Sequence, residues 1–128
     1  MAQCSCNGKC DSAPKLIFAC SGASDTGELT DRVARKLTLD GSGSMACLAG
    51  VGGRVSGILL STEAAQSILA IDGCPLNCAK KTLELAGFKN FEHVQLTELG
   101  LLKGQTPISD KTINKVIEKA KFMLKEKC

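Results

Sequence analysis

Tryptophan and tyrosine are absent from this 128-residue sequence, and phenylalanine occurs only four times. Single-stranded nucleic acid is usually gripped by stacking bases on such rings, so nucleic acid is not expected as a partner. Long apolar runs are missing as well. Residues 1–14 (MAQCSCNGKCDSAP) hold one lysine and no apolar stretch, and no later segment is long enough to cross a bilayer. Neither a signal peptide nor a membrane contact is therefore expected. No sign of charge dominates: 16 basic and 13 acidic residues give a formal +3, mixed along the chain except for a lysine-rich end from Lys111 to Lys127.

Cysteine, by contrast, is abundant, with eight residues. An even count suggests an extracellular disulfide framework, but the absence of a leader favours a reducing, cytoplasmic setting. There, clustered cysteines point to metal or redox chemistry. The length suits one domain able to bury a core without disulfides.

Residues 1–14 read as a mobile tail carrying Cys4, Cys6 and Cys10, and residues 15–128 as a single α/β domain. Lys15 to Ala19 (KLIFA) reads as a strand. Asp25 and Glu28 then form a capping-box signal for a helix with Leu29, Val33 and Leu37 on one face. Gly41 and Gly43 end it before a short strand from Ser44 to Ala46. Gly50, Gly52 and Gly53 read as a tight loop, and Val55 to Ser67 as a loop followed by a short helix. The nearly all apolar run Ile68 to Asp72 suits a parallel strand covered on both faces. Pro75 is expected at the first position of the next helix, with Cys74 as its cap, Leu76, Ala79 and Leu83 facing inward and Gly87 as its stop. His93 to Leu96 is a fourth strand, and a last helix from Ser109 aligns Ile113, Val116, Ile117, Ala120 and Leu124. Such alternation predicts a mostly parallel four-stranded sheet flanked by helices, Rossmann-like or flavodoxin-like, with strand order 2-1-3-4.

In open sheets of this kind, ligands bind beyond the carboxyl ends of the strands. Cys20, Cys47 and Cys74 each follow one of the first three strands, and Cys78 lies four residues beyond Cys74. Adjacent strands about 4.8 Å apart would let these sulfurs lean toward one ion. Four thiolates in that arrangement are the makeup of a metal site.

The stretches Cys20-Ser-Gly-Ala-Ser, Cys47 and Ala70-Ile-Asp-Gly-Cys-Pro-Leu-Asn-Cys-Ala-Lys-Lys-Thr-Leu-Glu closely resemble the DGC-domain family, named for the triplet that stands here as Asp72-Gly73-Cys74. The resemblance runs from about Lys15 to Lys103. It implies four chelating cysteines, matching Cys20, Cys47, Cys74 and Cys78, with zinc as the metal and no established activity.

Alternatives remain. Cys74 and Cys78 could form a redox or transfer pair with Cys20 as nucleophile, and four thiolates hold an iron–sulfur cluster as well as zinc. A phosphatase-like or reductase-like loop after the first strand would need an arginine where Thr26 stands, so that version lacks its anion clamp. Asp72 is expected to satisfy backbone groups of the turn it begins. His93, the only histidine, reads as structural or solvated and far from the cysteine edge. Gly50, Gly52 and Gly53 do not match a phosphate cradle, because the third glycine of G-x-G-x-x-G is replaced by Val55. The tail cysteines lack ordinary zinc-knuckle spacing and read as free thiols or as an arm that passes metal or electrons to the core. Cys128 reads as a free thiol.

Overall fold

Two apolar runs lie at the centre of the molecule because their side chains alternate between two covered faces. They are β1 (Lys15–Ala19) and β3 (Ser67–Asp72). A computed structural model describes residues 13–126. It places β2 (Ser44–Met45) on one side of β1, and β4 (Glu92–Gln95) beyond β3. All four strands are parallel, in the expected order β2-β1-β3-β4. Ala19 pairs with Ile71 at the carboxyl end, and Ala70 and Asp72 pair with His93 and Gln95.

On one face, Ile17, Leu69 and Ile71 meet Leu29, Val33 and Leu37 of α1 (Asp25–Leu39). Val116, Ala120 and Leu124 of α5 (Asp110–Glu126) complete that layer. On the other face, Phe18 and Ala70 meet Val51 of α2 (Leu48–Gly52) and Ala79 and Leu83 of α4 (Cys78–Leu85). Ile58 and Leu59 of α3 (Ser56–Ala64) pack partly against this second layer. A 3-10 turn, Leu96–Leu99, follows β4. Among the described residues, no helix is long and apolar enough to cross a membrane.

Several local expectations are corrected. The glycine stretch after Cys47 forms the short helix α2 rather than a loop. A side chain at Gly50 would collide with Ile58, so glycine here lets α2 and α3 pack closely. α3 begins directly at Ser56. Ser24, not Asp25, caps α1, accepting the Gly27 N–H at 3.1 Å. α4 starts at Cys78 instead of Pro75, with Asn77 before it in a left-handed conformation (φ 54°). Leu76 consequently points outward and is 60 % exposed.

Asp25, released from capping, pins a distant loop. Its carboxylate accepts the N–H groups of Gly104 at 2.8 Å and Thr106 at 3.0 Å, and these bonds hold its pKa below the usual 3.8. A lowered carboxylate contributes stability above its unfolded pKa and loses it as pH falls through the folded one. Amide exchange at Gly104 and Thr106 should therefore quicken below the ordinary carboxylate range, and Asp25→Asn should show the weaker protection already at neutral pH. Equal protection in both proteins across that range would contradict this pH dependence.

The two described ends lie together at the amino edge of the sheet. The Lys15 ammonium donates to the Leu124 carbonyl at 3.2 Å, and Lys121 pairs with Asp40 at 3.0 Å.

Candidate metal and thiol site

Cys20 continues the sheet one step past β1, its N–H bonded to the Ile71 carbonyl at 3.0 Å. Ser21 then turns the chain with φ 50°, an uncommon conformation fixed by two hydrogen bonds. Its N–H donates to Thr30 Oγ1 at 3.1 Å and its hydroxyl to Asp31 Oδ1 at 2.7 Å. Thr30 is fully buried and gives its one proton to the Gly27 carbonyl at 2.7 Å. Its oxygen is therefore left to accept from the Cys20 thiol, 3.5 Å away. This contact fixes the Cys20 side chain at the end of β1.

Cys47 stands just before α2 and is exposed. It and Cys20 line one cavity of about 680 Å³, together with Met45, Asp31, Arg35 and Thr82. Arg35 bonds Asp31 at 2.6 Å. Burial pushes the Asp31 carboxyl up, but hydrogen bonds from Arg35 and Ser21 and the charges of Arg35 and Arg32 outweigh it, leaving the pKa below its usual value. Arg35 thus puts a cation at the Cys20 cavity. Position 26, where the expected anion clamp would stand, holds Thr26, and α1 instead brings an arginine round from more than two turns further on.

Cys74 is half-buried in the turn after β3, and Cys78, the first residue of α4, is exposed. Cys74 is not the helix cap. Its carbonyl accepts the Asn77 N–H at 3.2 Å, closing the turn before α4. Glycines press this turn against the first turn of α1, and the first turn of α1 against the Cys20 loop. A β-carbon at Gly73 would come within 2.8 Å of the Thr26 backbone, and one at Gly27 within 2.5 Å of the Gly22 carbonyl. Three stretches of main chain are thereby stacked at the carboxyl edge.

Asp72 is buried beneath this edge and works differently from the expected turn. It accepts the N–H groups of Ala79 at 2.7 Å and Lys80 at 3.0 Å, and His93 Nε2 lies 2.8 Å from its Oδ2. His93 therefore belongs to the cysteine edge, against the expectation that it lies far from it.

The donor chemistry suits a zinc-class ion, since soft thiolates bind zinc well. In the arrangement described, Cys20 and Cys47 share the cavity while Cys74 and Cys78 lie on the neighbouring turn. Among the described residues, no three of His, Cys, Asp and Glu stand close enough to share an ion. The tail with Cys4, Cys6 and Cys10, and Cys128, lie outside the described residues.

The DGC domain model matches residues 16–120. The chain belongs to the DGC domain family. This DGC chain is also 39 % identical over 88 residues to the Anaerobic and virulence modulator AnvM of Pseudomonas aeruginosa, an alignment covering 69 % of this chain and 67 % of that protein. No solved structure matches it.

Proposed function

We propose that this DGC domain is a metal-binding regulatory protein that holds one zinc-class ion through Cys20, Cys47, Cys74 and Cys78. One observation carries this reading: Cys20 and Cys47 open into a common cavity at the ends of β1 and β2, and the Cys74 turn packs through Gly73 on the first turn of α1 at the same sheet edge. The name of the relative, a modulator, supports a regulatory rather than a metabolic role. A closed four-thiolate zinc site has no open position for water, which argues against hydrolysis and for sensing, storage or structural control. The reducing cytoplasm is the compartment that keeps such thiols free, and the metal ion is the partner proposed.

A thiol redox role is the second reading. It is favoured by Cys20, fixed by Thr30 in the cavity it shares with Cys47.

Metal analysis of protein purified without added metal or chelator separates these. One zinc per chain and a colourless solution are expected; brown protein with iron and sulfide would transfer the site to a cluster. In zinc-loaded protein, mass mapping after alkylation should find the four core cysteines protected and the tail cysteines and Cys128 labelled, with protection lost after chelation. Metal-free native protein whose core thiols cycle between dithiol and disulfide would favour the redox reading instead.

A further inference from the structure

We infer that His93 is a positioning residue for Cys74 and Cys78, acting through the buried carboxylate of Asp72 to fix the turn that carries both thiols. The inference rests on the reading of this edge as the functional site. A helix begins with N–H groups that have no partner inside it, and the residue before it usually supplies one. Asn77, which precedes α4, makes no such bond. The Ala79 and Lys80 N–H groups are met from behind by Asp72, on the neighbouring strand. The first turn of α4, and Cys78 at its head, therefore stands where the Asp72 carboxylate holds it.

That carboxylate is held in turn by β4. Asp72 is 1 % exposed and His93 18 %. Ala70 and His93 are opposite one another in the register, so Asp72 and His93 are diagonal neighbours on one face. Neutral imidazole with its proton on Nε2 donates to Asp72 as imidazolium does, so the contact does not depend on the charge of the histidine. Two residues along the strand, Gln95 Nε2 donates to Asn77 Oδ1 at 2.8 Å. β4 thus grips the cysteine turn twice, at the residue before Cys78 and at the carboxylate that caps its helix. Removing a partner that orients metal ligands typically costs about 10–100-fold in affinity.

The test compares full-length wild type with His93→Ala, His93→Gln and Gln95→Ala. In chelator-treated protein, His93→Ala should speed alkylation of Cys74 and Cys78 several-fold while Cys20 and Cys47 keep their rates. Zinc affinity, measured by competition with a chromogenic chelator, should fall about tenfold or more. Glutamine places a donor near the Nε2 position and should restore both readouts. Gln95→Ala, which strands no buried charge, should move them less and in the same direction.

Unchanged labelling and affinity in His93→Ala would overturn the inference. So would equal acceleration of all four thiols, which marks general loosening, or a glutamine variant as impaired as alanine, which would make the ring itself a ligand. Should wild type bind no zinc, the proposed function fails, and the labelling pattern of the metal-free proteins alone decides the role of His93.

Discussion

Serine in place of Cys74 should leave the purified protein without its equivalent of zinc, and the same is expected for Cys20→Ser, Cys47→Ser and Cys78→Ser. A hydroxyl is not ionised at neutral pH and binds zinc far more weakly than a thiolate, so loss of one donor opens the site. The consequence extends to stability. An ion present at a thousand times its dissociation constant adds about 4 kcal/mol to a fold that binds it only when native. Wild type should therefore melt well above each variant with zinc present, and the difference should shrink once all are stripped with chelator. Cys47 and Cys78 are exposed, so their metal-free variants should match wild type most closely. Full metal content in all four variants would sink the proposed site.

Gly73→Ala and Gly27→Ala should destabilise the fold with or without metal. Neither glycine has a positive φ; what each supplies is room. The added methyl at Gly73 would meet main-chain atoms of Thr26 at 2.8 Å, and at Gly27 it would meet main chain of Gly22 at 2.5 to 2.7 Å. Main chain cannot rotate away as a side-chain tip can, so the first turn of α1 and the segments packed on it must separate. Overpacking of this kind costs about 1–3 kcal/mol, or a fall of several degrees in melting temperature for a chain of this size. Gly57→Ala is the control. It lies in α3 with nothing within 4 Å of the added carbon, so alanine there should stabilise by roughly 0.5–1 kcal/mol. If Gly73→Ala and Gly57→Ala shift the melting temperature equally, the close packing of the Cys74 turn on α1 is not what holds this edge together.

The strand order and the covered faces were legible because apolar periodicity records burial directly. β3 is buried at all six positions, and the stripe from Ile113 to Leu124 is buried throughout. The placement of Cys20, Cys47 and Cys78 next to strand ends or a helix start followed from the same pattern. Cys74 as a cap did not, because a proline can begin a helix locally while a carboxylate from a neighbouring strand decides where the helix actually begins. His93 was misplaced for a related reason. The pairing of β4 with β3 brings it beside Asp72, twenty-one residues earlier in sequence, and no local signal carries that register. Asp25 followed local rules only in part: the chemistry of a helix start was there, but Ser24 took the cap and left Asp25 free to hold Gly104 and Thr106.

The bond from Lys15 to the Leu124 carbonyl also bears on how the protein can be handled. Residues 13 and 126 both leave from the amino edge, and β1 alone separates that edge from the cysteines by about 17 Å at 3.3 Å per residue. A fluorophore, an affinity handle or a sensor surface attached at this edge would sit at the opposite end of the sheet from Cys20, Cys47, Cys74 and Cys78. The molecule could thus be tethered by one end and titrated with metal or oxidant at the other.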